Sequence, residues 1–219
     1  MKTLNKHLQV LIYVLFFGGL WGILEATLGS LLHLPFIKTM FLASTTIMVP
    51  IAYFLMAACY KKSGTFRSVI YMGLLAAGIK TIACLIFHMS FNPVYYILLE
   101  SVFMAAALLV IRPKEIISFA GLGTMIIANT LYLAASSFIR VDIAHSTMSV
   151  FLENFEKYVF MFNCVAILYT FAAGALIYGV MKLAEKHSWD FSKLEKVIYH
   201  PAFASSVAAV ALVLAVVIR

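Results

Sequence analysis

Apolar residues run through this chain in long, nearly unbroken stretches, without the alternation or one-sided helical spacing of a water-exposed fold. Seven runs stand out: 8–34, 36–60, 67–89, 93–111, 115–139, 158–182 and 201–218. A helix rises about 1.5 Å per residue, so about 20 apolar residues cross a hydrocarbon layer roughly 30 Å thick. The pattern therefore predicts an all-α, polytopic membrane bundle of six to seven spanning helices in a single domain, 1–219, whose last run is the shortest. The connections "HLPFIK", "KKSGTFR", "HMSFNP" and "IRPKE" are short, so consecutive helices are expected to be antiparallel neighbours. Pro50, inside "TTIMVPIAY", predicts a kink, because its ring removes a backbone donor and crowds the Thr46 carbonyl, with Thr45 or Thr46 available to satisfy the local backbone.

Two connections are longer. Segment 140–157, "RVDIAHSTMSVFLENFEK", mixes apolar residues with acids and His145 and suits a partly helical cap on the bundle. Segment 185–200, "EKHSWDFSKLEKVIYH", sets Trp189, Phe191, Leu194, Val197, Ile198 and Tyr199 among lysines, as expected of an interfacial stretch before a final span.

Composition sharpens this picture. Hydrophobic residues make up 64% of the chain and charged residues 11%, where a soluble domain is about half apolar and a quarter charged. The net charge of +7 raises the question of nucleic acid, but the distribution of the basic residues answers it. With the N-terminus cytoplasmic, Lys2, Lys6, Lys61, Lys62, Arg67, Arg112, Lys114, Lys182, Lys186, Lys193 and Lys196 all fall inside, against Lys38, Arg140 and Lys157 outside. The basicity is thus a topology signal, and no basic-aromatic pattern suggests a nucleic-acid partner. Lys2 and Lys6 precede an apolar run as in a signal peptide, but Glu25 interrupts it and no Ala-x-Ala-like site follows, so a retained first span is expected. Cys59, Cys84 and Cys164 form no CxxC pair; one bridge, Cys84 to Cys164, is compatible with their depth.

The informative positions are the polar ones inside the runs, where a charge costs at least about 2.5–3.5 kcal/mol unless it meets a partner or a wet cavity. Counted inward from one end of the bundle, Glu25 lies about 13 Å deep, Lys80 about 15 Å and Glu100 about 10 Å. Three ionisable residues on the first, third and fourth runs thus share a depth. Lys80, Cys84 and His88, four apart, are expected on one helical face, and Gly18, Gly22, Glu25, Ala26, Gly29 and His33 on another. Small residues at such spacing are ordinarily helix-packing surfaces, and Glu25 with Lys80 would ordinarily be an ion pair fixing register. Two acids for one lysine, with two histidines above them, favour a ligand-facing role. Glu25, Lys80 and Glu100 are then the floor of a substrate-binding pocket, and His33, Cys84 and His88 its upper wall. No resident cofactor is expected. A transition metal is a candidate ligand or substrate, with His33, His88 and Cys84 as its donors, joined by Glu25 and by Asp142 or His145 from the outer segment. Tyr95 and Tyr96 suit an aromatic belt, with Tyr96 on the face of Glu100 and Met104; Asn129 and Asn163 suit hydrogen bonds between helices.

On its short loops, its extreme hydrophobicity, its first six runs and the series Gly18, Gly22, Ala26, the chain resembles the substrate-binding S components of energy-coupling factor transporters. It departs from them in having a seventh run, and in placing the small residues on the face of Glu25 and His33. The resemblance implies a transport subunit without an ATPase of its own, rather than an enzyme. It would sit as a multi-pass protein in a prokaryotic inner or plasma membrane and capture a vitamin, a precursor or a metal ion from outside. A transmembrane coupling protein with cytoplasmic ATPases would dock on the small-residue series. The alternative is a membrane-embedded metal- or haem-binding redox protein or enzyme, with Glu25 or Glu100 as proton carrier.

Overall fold

A computed structural model describes residues 5–32, 44–88, 91–114, 118–139 and 191–217, with individual helical positions between 160 and 186. The structure is all-α. Its elements are α1 (Lys6–Leu32), α2 (Ser44–Ser63), α3 (Arg67–Ile86), α4 (Asn92–Ile111), α5 (Phe119–Ile139), the short α6 (Phe191–Ile198) and α7 (Pro201–Val217). Within them α1, α3 and α4 are long and apolar enough to cross a membrane, which marks the chain as a membrane protein. At 17 residues α7 is at the lower limit of a spanning length.

The helix ends follow local chemistry. Gly64 takes a left-handed φ of +67° just after α2, and its amide donates to the Tyr60 carbonyl at 2.8 Å, closing the helix end. Lys61 and Lys62 sit in the last turn of α2, where the negative end of the helix dipole favours cations. Pro93 opens α4, at a position where a missing amide costs little. Pro50 lies inside α2, which continues through it, and is fully buried.

Consecutive helices do pack together, but the most extensive partner of α1 is α7, the last element in sequence, followed by α3. The seam is made of small residues. Gly18 faces Met72 and Leu75 of α3, while Gly22 faces Ile79 of α3 and Ala211 of α7. A Cβ on Gly19 would sit 2.8 Å from backbone atoms of Ala208, so α1 and α7 touch through their backbones. Ala26, Ile79, Ala83, Ala211 and Ala215 extend the seam as a small buried cluster. The glycine and alanine face of α1 therefore lies inside the bundle, covered by α3 and α7. Packing inside the bundle is what small residues at such spacing ordinarily do, and it is what the face shared with Glu25 favours.

On its other side α3 packs on α4, and α4 on α5, with α2 against α1, α3 and α4. The main core gathers Phe17, Trp21, Tyr53, Met56, Met72, Met104, Leu108 and Met125. Gly73 is a point of close approach between α3 and α4, since any Cβ there would collide with the Ser101 side chain. At one end of the bundle Tyr199, just after α6, meets Tyr13 edge-on with ring centroids 5.0 Å apart and Phe16 at 5.8 Å. Lys62 bonds Glu195 there at 2.8 Å. The expected interfacial stretch is thus tied to the bundle by aromatic rings and one ion pair; Trp189 lies outside the described residues.

Candidate functional site

Three helices bring ionisable side chains to one level. Glu25 is on α1, Lys80 on α3 and Glu100 on α4, and α3 packs against both of the others. Glu25 lies within electrostatic reach of Lys80 and of Glu100, so the three form one cluster. Lys80 and Glu100 are each only 8% exposed, an unusual burial for charged residues. Glu25 keeps partial exposure.

The cluster is not closed on itself. Among the described residues the ion pair with nitrogen and oxygen in contact is Lys62–Glu195, at the other end of α2; Lys80 makes no such contact with either acid. Glu100 Oε1 is buried without a hydrogen-bond partner. So is Nε1 of Trp21, which stands one helical turn before Glu25. The indole comes close enough to act on the Glu25 carboxyl, yet the two do not meet as a formed hydrogen bond, so Nε1 is not satisfied. A buried donor or acceptor left unmade costs about 1–3 kcal/mol. Two such atoms beside one cluster are a cost that a bound group would remove.

Trp21 also carries a signal in the sequence. It precedes Glu25 by four residues, so the two share a face. Its single N–H is a donor that needs an acceptor when buried.

The expected upper wall fares differently. Cys84 is buried, at 1% exposure, one turn beyond Lys80 on α3. His88 is not on that face: α3 ends at Ile86, Phe87 caps it, and His88 turns to a left-handed φ of 50° and is exposed. His88 leaves the face of Lys80 and Cys84 because the helix does not last that long, and no glycine or proline in "IFHMS" announces the stop. His33, Asp142 and His145 lie outside the described residues. None of the three cysteines is in a disulfide, so Cys84 and Cys164 are not bridged. Among the described residues no three His, Cys, Asp or Glu side chains converge as a metal site would require.

Further along α4, Tyr96 stacks edge-to-face on Tyr132 of α5, with centroids 6.2 Å apart, while Tyr95 is exposed as a belt residue would be. A second polar group joins α5 to the helical residues that follow it. Asn129 Nδ2 donates to Asn163 Oδ1 at 2.8 Å, and Asn163 Nδ2 donates to Thr130 Oγ1 at 2.9 Å. The two asparagines cross-link helices as their positions predicted. No family model, curated protein or solved structure matches the chain.

Proposed function

We propose that this chain is a membrane-embedded substrate-binding subunit that takes up a small molecule, with Glu25, Lys80 and Glu100 as the polar floor of its site. The observation that carries this reading is the pair of unpartnered buried atoms, Glu100 Oε1 and Trp21 Nε1, beside a charged cluster that α1, α3 and α4 hold at one level. A group kept only for packing would be expected to be satisfied, as buried polar atoms overwhelmingly are. On this reading the chain is multi-pass, with its N-terminus cytoplasmic and ligand arriving from the opposite side. The basic residues Lys61, Lys62, Arg67, Arg112 and Lys114 at the α2–α3 turn and the end of α4 support that orientation.

The S-component resemblance supplies the remaining expectations: a vitamin, precursor or metal ion as cargo, and a transmembrane coupling protein with cytoplasmic ATPases to drive release. With α7 and α3 on the Gly18, Gly22 and Ala26 face, such a partner would have to meet another surface. The redox alternative would draw its histidine ligand from His33 or from segment 140–157.

The test is a thermal-unfolding screen of the purified protein against vitamins, corrinoids and divalent metals, since a ligand that binds only the folded state raises its apparent stability. The reading requires at least one compound whose stabilisation disappears in Glu100→Gln while the variant remains folded. Stabilisation by a metal or haem that is indifferent to Glu100→Gln and Lys80→Met would favour the redox alternative and overturn this one.

A further inference from the structure

The charge arithmetic of the cluster narrows its ligand, given the binding-site reading just proposed. Glu25 and Glu100 set two carboxyl groups against the one ammonium of Lys80, so with all three ionised the cluster would carry a net charge of −1. In a poorly solvated interior such an imbalance is expensive and is relieved by one unit of positive charge, a proton on one carboxyl or a cationic group beside it. The orphaned atoms say what form that charge takes. Glu100 Oε1 is an acceptor without a donor, and it belongs to a side chain more than nine-tenths buried. Trp21 Nε1 is a donor without an acceptor, and its side chain is fully buried. An indole N–H cannot ligate a metal, because it has no lone pair to give. A bare cation would therefore satisfy Glu100 and leave Trp21 unmet. A group with a positive donor and a neighbouring acceptor meets both needs.

We propose that the site takes an organic ligand bearing a protonated amine, with Glu100 accepting from the ammonium, Glu25 sharing its charge, and Trp21 donating to an oxygen on the same molecule. Lys80 then keeps one acid neutralised and sets the affinity by repulsion; it does not itself hold the ligand.

This assignment fixes the sign of one substitution. Were the ligand an anion held by Lys80, Lys80→Met would abolish binding. For an ammonium ligand the same change removes a like charge nearby and tightens binding, by on the order of tenfold.

Three probes of one size and opposite character make the test: isopropanolamine, lactate and propylene glycol, added at matched ionic strength to the full-length protein in detergent, with the unfolding midpoint as readout. Isopropanolamine is expected to raise the midpoint of the unsubstituted protein, with no shift from lactate or propylene glycol. Glu100→Gln should lose at least about nine-tenths of that affinity. Lys80→Met should gain, and Lys80→Gln replaces it if the methionine variant does not fold. Lys62→Met, at the far end of α2, should leave the shift unchanged. Stabilisation by lactate that vanishes in Lys80→Met, or by zinc or magnesium chloride without any by the amine, overturns the amine assignment and leaves the binding site standing. If no probe moves any form of the protein, the amine assignment fails, and the site fails with it only where the wider screen of vitamins, corrinoids and divalent metals is also flat.

Discussion

Two polar groups sit among the apolar helices of this protein, and they are built in opposite ways. The Asn129, Asn163 and Thr130 group is closed: each asparagine amide donates to a neighbour at 2.8 or 2.9 Å, and the side chains answer one another across the helices. The Glu25, Lys80 and Glu100 group is open, with no ion pair in contact and two buried atoms beside it unpartnered. Both occupy interior positions, since Asn129 is 4% exposed and Glu100 8%. Burial alone therefore does not separate a packing device from a site. What separates them is whether the hydrogen-bonding capacity of the buried atoms is used up.

The comparison can be broken at its scaffold, with the largest effect. Gly73 allows α3, which carries Lys80, to approach α4, which carries Glu100, and a Cβ there would meet Ser101. Gly73→Leu is expected to cost about 3 kcal/mol or more, beyond the usual penalty for an overfilled interface, because the obstructing atoms sit next to the backbone. Thermal unfolding in detergent should register it as a large drop in midpoint or a failure to accumulate folded protein. Asn163→Leu is the next step down. It strands Asn129 Nδ2 and Thr130 Oγ1, and should lower stability by about 1–2 kcal/mol with no change in any ligand-induced shift.

Glu100→Gln tests the open group and should carry the opposite sign. It removes a buried carboxylate that has no donor and stands near a second acid, so the ligand-free protein should become more stable, by about 1 kcal/mol or less. A loss of stability comparable to that of Asn163→Leu would mean that Glu100 serves packing after all, and the distinction between the two groups would collapse.

Much of this arrangement is legible in the sequence, for reasons that the residues make plain. The apolar runs 67–89 and 93–111 lie close to α3 (Arg67–Ile86) and α4 (Asn92–Ile111), because only a helix satisfies its own backbone in an apolar medium. The meeting of Glu25, Lys80 and Glu100 follows from depth counting along those helices, and the Asn129–Asn163 bond from the scarcity of amides in apolar segments. Packing order was not legible. That α7 lies on α1 depends on Gly19 and Ala208 meeting across most of the chain, and small residues advertise close approach without naming the partner. The end of α3 was not legible either, since "IFHMS" carries no breaker and His88 adopts its left-handed turn without glycine. The openness of the cluster is a matter of angles and fractions of an ångström, which spacing cannot encode.

The smallest expected effect sharpens the comparison from a third position. Lys62 and Glu195 form the contact that Lys80 and Glu25 do not, at 2.8 Å, but both side chains are well exposed, at 42% and 57%. The hydrogen bond to Glu195 holds the Lys62 ammonium above its ordinary value of 10.5, and the nearby Tyr199 ring, 5.4 Å from Nζ, adds to the attraction. A raised lysine stabilises the fold fully at pH values below that ordinary value, and the contribution disappears as pH rises through the higher, folded-state value. Lys62→Met should therefore cost less than about 0.5 kcal/mol at neutral pH and shrink further in high salt, where exposed charges are screened. The difference between variant and parent should vanish at strongly alkaline pH. A closed ion pair in water is thus expected to contribute little to stability, whereas the open group among helices leaves buried atoms unpartnered. Measuring Lys62→Met beside Lys80→Met under the same conditions would place both on one scale: a large stability loss from the exposed pair would show that contact, rather than burial, sets what a charge is worth here.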